Sequence, residues 1–308
     1  MSVPRTAARL ALAGLAAMTL CACACGGGGN GTIAAAPSVT ADSGPAIAAG
    51  RVDHLSVSSA ALKRPMAAAV YLPPGYSTAL RYPVLYLFYG YGGNPDSWFD
   101  AGLAINRTAD KLIAARAIDA LIIVAPDYDN SFGVNAADGQ SAGSGVSAGQ
   151  YEDYLIGELL PAIEARYSTD ARREKRYAGD ISMGGFAALH LGLRHTALFG
   201  KVGGHSAALW DYSAADQFLG QRNWLYATAD LRARRDPLLL AAAADLRGVS
   251  FYLDVGNRDA LRQQDAAMAG VLQGRAAAVE FHTDSGGHDG GYWSAQLDNY
   301  LRFYGKDQ

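Results

Sequence analysis

Ser182 stands in the stretch Arg176-Tyr-Ala-Gly-Asp-Ile-Ser-Met-Gly-Gly-Phe-Ala-Ala-Leu, which reads as an apolar strand, a tight turn and a helix with the serine at the bend. That setting suits nucleophilic chemistry. A sharp strand-to-helix turn lifts the hydroxyl above the strand ends, and the following helix directs its first amides, with the positive end of its dipole, at charge developing on a substrate. Neighbouring backbones pass close at such a bend, so small residues are required there, and Gly184 and Gly185 supply them on the helix side. The usual pattern G-x-S-x-G also has glycine two residues before the serine; this chain has Asp180 there, with its glycine at 179. Taken alone, Ser-Met-Gly-Gly also describes a glycine-rich helix start.

The elements that must position this serine alternate from about residue 51 onward. Apolar runs at 66–72, 84–88, 121–125, 176–181, 201–204 and 249–255 read as strands, as does Val279-Glu-Phe-His. Helical patterns lie at 106–117, 151–167, 184–195, 259–273 and 292–304, the last with Trp293, Leu297, Tyr300, Leu301 and Tyr304 at turn spacing. Short apolar strands between helices imply a doubly wound, mostly parallel α/β sheet covered on both faces, within a single domain over 51–308. Two segments break the rhythm. Residues 130–150, rich in Gly, Ser and Ala, are expected to form a loop near a site. Residues 210–236, with Trp210 and Trp224, are expected as an insertion over the sheet edge or an ordinary packed excursion.

Four motifs in order extend the reading: Tyr82-Pro-Val-Leu-Tyr-Leu-Phe-Tyr-Gly-Tyr-Gly-Gly-Asn-Pro-Asp-Ser-Trp98, Ala125-Pro-Asp127, Ser182-Met-Gly-Gly, and Gly286-Gly-His-Asp-Gly-Gly-Tyr-Trp293. Together, over nearly all of 51–304, they resemble the esterase D-like family of α/β-hydrolases. That family includes feruloyl and acetyl esterases, S-formylglutathione hydrolases and mycolyltransferases. The resemblance implies an α/β-hydrolase fold with Ser182 as nucleophile and the chain order serine, acid, histidine. His288, in a glycine-rich loop beyond the last strand, is expected as general base, whereas His282, within that strand, is expected to pack. His190 and His195 point away from the turn, His54 lies near the start of the domain, and His205 ends a strand near the site. For the acid, Asp259 follows a turn and fits the family's G-x-x-D, with Asp254 as the alternative. Met183 and Tyr91 are expected to donate the oxyanion-hole amides. Tyr89 replaces the family's usual histidine before Gly90. Asp180 is expected to put negative charge near the oxyanion and to raise the pKa of His288.

The reaction implied is hydrolysis of a carboxylic ester through an acyl-enzyme, with no metal or organic cofactor. The expected substrate is a small-molecule or cell-envelope or polysaccharide ester. Two alternatives stand beside it: mycolyl-type acyl transfer to a sugar hydroxyl, and a catalytically silent surface binding relative, the latter motivated by Asp180 and Tyr89.

Composition sets outer limits. Lys and Arg number 26 against 29 Asp and Glu, a net charge of −3, so no basic surplus is available for nucleic acid. Half of the residues are apolar and 18% charged, which excludes disorder throughout. The one long apolar run follows Arg5 and Arg9 and is too short for a comfortable span, so residues 1–22 are expected as a signal peptide. Leu20-Cys-Ala-Cys23 resembles a bacterial lipobox with Cys23 as the lipidated residue. Cys21 would put Leu20 at −1 and Cys25 would put Ala22 at −3; simple secretion is the other reading. Residues 23–50 are expected to form a Gly/Ala-rich tether that makes a lipid anchor the only membrane contact. No cysteine follows Cys25, so the body has no disulfide and no thiolate metal site.

Overall fold

A computed structural model describes residues 48–213 and 219–306. The expected signal peptide, the lipobox with Cys23 and most of the tether lie outside the described residues. Strands β1 (Arg51–Ser59), β2 (Arg64–Leu72), β3 (Val84–Leu87) and β4 (Ile122–Pro126) are followed by β5 (Arg176–Ile181), β6 (Lys201–His205), β7 (Ser250–Gly256) and β8 (Ala278–Asp284). They form one sheet in the order β1-β2-β4-β3-β5-β6-β7-β8. β3 to β8 are mutually parallel, and β2 pairs antiparallel with both β1 and β4. The mostly parallel sheet agrees with the pattern of apolar runs. β1 was not anticipated, because its sequence buries only Val57 and Ser59 and carries weak apolar alternation at an exposed edge.

Helix α1 (Ile105–Ala114) precedes β4, and α2 (Tyr151–Asp153) continues through a π-helical stretch, Tyr154–Leu159, into α3 (Leu160–Arg166). Then come α4 (Ser182–Arg194), α5 (Gln221–Leu225), α6 (Ala229–Arg235), α7 (Pro237–Ala243), α8 (Arg262–Gly274) and α9 (Gly290–Gly305). α8 starts three residues later than the expected 259, because Asp259 belongs to the turn that precedes it.

Side chains alternate between two cores, as a pleated strand requires. Val84, Tyr86, Ile122 and Val124 enter one core with Met183, Phe186 and Leu191 of α4. Leu85, Leu87 and Ile123 enter the other with Ile105 and Leu112 of α1 and Leu297 and Leu301 of α9. Each fully buried side chain of this size contributes about 1.5–3 kcal/mol. α4 is buried at every position from 183 to 193, so it is fixed on all sides, and its N-terminus is where Ser182 sits.

The glycine at 179 serves this packing. A Cβ at Gly179 or at Gly203 of the neighbouring strand would run into the hydroxyl of Tyr304 from α9. Gly179 therefore seats Tyr304 rather than relieving the bend at Ser182.

Candidate active site

Ser182 links β5 to α4 with φ 54°, a left-handed backbone that a serine adopts only when its surroundings impose it. The surroundings are tight. A Cβ at Gly185 would lie 2.9 Å from the carbonyl oxygen of Asp180 and 3.0 Å from Cα of Ala207, and one at Gly184 would lie 2.5 Å from Cγ of Asp180. From the segment after β6, the Ala208 amide donates to the Ser182 carbonyl at 2.8 Å. The bend is thus held by its neighbours on both sides.

Ser182 Oγ lies 2.8 Å from Nε2 of His288, and Nδ1 of the same ring lies 2.8 Å from Oδ2 of Asp259. Two loops deliver these partners together. The Asn257 amide donates to the Asp284 carbonyl at 2.8 Å and the Arg258 amide to the Gly286 carbonyl at 2.9 Å, tying the turn after β7 to the loop after β8. The Asp259 side chain is fully buried, while His288 is 35% exposed. Burial pushes the Asp259 carboxyl upward, but hydrogen bonds from His288 and from the Leu261 amide outweigh it and hold the group below the usual range, so it is ionised at neutral pH. An ionised carboxylate on Nδ1–H leaves the lone pair of Nε2 facing the serine hydroxyl. Trp293 stands edge-on to the imidazole, with ring centroids 5.1 Å apart.

Asp254, the other acid weighed, forms a separate group. Its Oδ1 meets Nδ1 of His205 at 2.6 Å, and its Oδ2 accepts from the hydroxyls of Tyr292 at 2.8 Å and Tyr300 at 2.9 Å. His205 stacks on Tyr300, and neither His205 nor Asp254 is exposed. His205 therefore has no route to a substrate.

The loop after β3 lies against Ser182: a Cβ on Gly90 would be 3.7 Å from Cβ of Ser182. Tyr89 anchors this loop from beneath. Its buried hydroxyl donates to Asp127 at 2.6 Å and accepts from the Tyr128 amide at 3.0 Å, while the Tyr128 hydroxyl donates to the Tyr89 carbonyl. Gly92 is held by Asn130 through a 2.8 Å bond, and the Gly93 amide closes on the Gly90 carbonyl at 2.9 Å. The Tyr91 amide lies between these fixed points. The Met183 amide belongs to the first turn of α4, where N–H groups lack intrahelical acceptors. Both residues line the same cavity as Ser182.

Asp180 corrects an expectation. Its carboxyl is fully buried, accepts from the Trp98 indole at 2.9 Å and from the Ile181 amide, and does not line the cavity. Burial raises its pKa well above the ordinary value, against the two hydrogen bonds. Its oxygens are taken up by Trp98 and the Ile181 amide rather than directed at the oxyanion or at His288. His282 also departs from expectation: it is exposed on β8, with its ring 5.0 Å from that of Tyr252. His190 and His195 both bind Glu152, at 3.3 Å and 2.8 Å, and His54 pairs with Asp96 at 2.7 Å.

Beside Ser182 and His288 opens a cavity of about 590 Å³ whose other walls include Phe132, Trp210, Leu219, Gln221, Leu261 and Trp293. The two segments that break the β/α rhythm supply Phe132, Trp210, Leu219 and Gln221. They also lock together, since Gln140 donates to the Trp224 carbonyl at 2.7 Å and the Trp224 indole to the Ser141 carbonyl at 2.9 Å. Sequence reasoning did not identify Trp98, whose indole joins Asp180 to the Phe88 carbonyl; a tryptophan closing the first motif was the available signal. Among the described residues, no group of His, Cys, Asp and Glu is arranged to hold a metal ion.

Comparison with known proteins agrees with this geometry. Residues 59–304 match the Esterase family model, described as "Putative esterase". An endo-1,4-beta-xylanase/feruloyl esterase of Xylanibacter ruminicola is 34% identical over 160 residues, covering 50% of this chain and 21% of that protein. An acetyl esterase of Caldicellulosiruptor saccharolyticus is 23% identical over 72% of this chain and 83% of its own length. The chain thus spans about a fifth of the first relative and most of the second. A solved ferulic acid esterase is 25% identical, with TM-score 0.71, over 83% of this chain and 98% of that one. The eight-stranded sheet, the strand-to-helix bend at Ser182 and the family match over most of the chain lead to one conclusion: this chain belongs to the esterase family of α/β-hydrolases.

Proposed function

We propose that this protein is an exported serine carboxylesterase, anchored through a lipid on Cys23. Ser182 Oγ attacks the ester carbonyl while its proton moves to Nε2 of His288, and Asp259 stabilises the resulting imidazolium through Nδ1–H. The amides of Met183 and Tyr91 donate to the oxyanion. Collapse breaks the carbon–oxygen bond, and the alcohol leaves with the proton from His288. Water then attacks the acyl-serine, again losing a proton to His288; the bond from the acyl carbon to Ser182 Oγ breaks, Oγ takes that proton back, and the carboxylic acid departs. The observation that carries this reading is the unbroken pair of 2.8 Å hydrogen bonds from Ser182 through His288 to Asp259 at the wall of an open cavity. Family membership and the named activities of the feruloyl and acetyl esterase relatives support it.

The test is fluorophosphonate labelling of the purified protein, followed by hydrolysis of a panel of p-nitrophenyl and feruloyl esters. Labelling at Ser182 with turnover is expected; a folded protein that does neither is a silent relative. Adding sugar acceptors to the same assay separates hydrolysis from acyl transfer. Fatty-acid labelling that vanishes in Cys23→Ala tests the anchor.

A further inference from the structure

The described residues around the cavity beside Ser182 are mostly apolar. The indole N–H groups of Trp210 and Trp293 are shielded from the surface, so both rings turn carbon towards the cavity. The Tyr91 hydroxyl is directed at Gly145, where an added Cβ would collide with it. Ser182 and His288 are already bonded to each other. Among the described lining residues, Gln221 is the exception. It opens α5 directly after Gly220 at φ 85°, is 6% exposed, lines the cavity, and its carboxamide bonds to none of the described residues. Removing an amide from most of its water without a partner is costly, and buried polar groups are nearly always paired. The carboxamide is not sealed in, so the cavity is where a partner can reach it. No Lys or Arg is among the described residues that line the cavity, so an anionic group there would meet no countercharge from them.

We propose that Gln221 is a specificity-determining residue, hydrogen-bonding a neutral polar substituent, a hydroxyl or carbonyl, on the otherwise apolar body of the ester held at Ser182. This rests on the esterase reading. The site then discriminates against the unsubstituted ester, because binding it strands the amide, and more strongly against a carboxylate at the same place.

Matched chromogenic esters test this, with one position unsubstituted, hydroxylated or carboxylated, placed in turn on the acyl and on the alcohol portion. In the wild type, kcat/KM is expected to favour the hydroxylated ester about tenfold over the unsubstituted one in at least one series, with the carboxylate lowest. In Gln221→Leu that ratio is expected to fall to one or below. Gln221→Glu, which retains an acceptor, is expected to keep the hydroxyl preference and reject the carboxylate further; this variant and the wild-type ratio decide the matter if Gln221→Leu does not fold. A wild-type ratio of one in both series, or a preference that survives in folded Gln221→Leu, overturns the assignment. Fluorophosphonate labelling separates the two failures: a labelled Ser182 with an unmoved ratio removes only the role of Gln221, whereas an unlabelled, inactive wild type removes the esterase reading and this proposal with it.

Discussion

Two histidine–aspartate pairs that meet through the histidine Nδ1 are built from neighbouring parts of the sheet, and only one of them is placed to do chemistry. In both, a carboxylate oxygen meets Nδ1 of a histidine, at 2.8 Å for Asp259–His288 and 2.6 Å for Asp254–His205. They differ in what the far nitrogen sees. Nε2 of His288 faces Ser182 at 2.8 Å on a partly exposed ring, whereas Nε2 of His205 faces the Tyr304 hydroxyl at 3.2 Å inside a closed aromatic cluster. The second pair secures the packing of α9 against β6 and β7. A histidine–carboxylate contact alone thus does not mark a catalytic site; access and the third group do.

Breaking the exposed pair should have the largest effect. Ser182→Ala and His288→Ala are each expected to lower kcat for ester hydrolysis by about 10⁴-fold or more with an unfolding temperature near wild type, since such residues act as a unit. More than a tenth of wild-type turnover in purified Ser182→Ala would falsify the mechanism. Asp259→Asn keeps the shape but disturbs the imidazole tautomer, and a loss of about 10²–10⁴ in kcat is expected from steady-state kinetics. The closed pair should behave in the opposite way: Asp254→Asn or His205→Ala is expected to cost about 3–5 kcal/mol in urea unfolding, while the folded fraction retains its turnover. A folded, stable Asp254→Asn with lost activity would reverse the assignment of the two acids. The smallest effect concerns Asp180. Its folded pKa is raised, so above the unfolded value of about 3.9 the folded state holds a proton that the unfolded state has released, and stability falls as pH rises. Asp180→Asn should remove that part of the decline, which begins above about pH 4, and leave the pH profile of kcat/KM unmoved; a shifted profile would show that the carboxyl is charged and felt by His288.

Much of this comparison was legible beforehand. The bend at Ser182 and the glycine-rich loop at His288 announce themselves because each needs small residues in a local arrangement. Choosing between Asp254 and Asp259 was harder: they lie five positions apart, and what separates them is tertiary, namely Tyr292 and Tyr300 closing over one and the tied loops presenting the other. Asp180 misled for the same reason. Next to a nucleophile a carboxylate reads as charge, and only its burial against Trp98, more than eighty positions away, turns it inward and raises its pKa. Tyr89 in place of histidine proved to be a loop anchor, through bonds to Asp127 and Tyr128 that no spacing rule reveals. The strand β1 escaped because an edge strand need bury little.

The left-handed backbone of Ser182, at φ 54°, bears on how sequences like this one can change. Holding a serine there costs of the order of 1–3 kcal/mol, and glycine would adopt the same angle freely. Ser182→Gly should therefore unfold at a higher temperature than Ser182→Ala, and even than the wild type if the hydroxyl's single bond to His288 is worth less than the strain. A population of variants screened for heat resistance alone would be drawn away from serine at this position, and one screened for turnover would be drawn back. Position 182 is where durability and activity select in opposite directions.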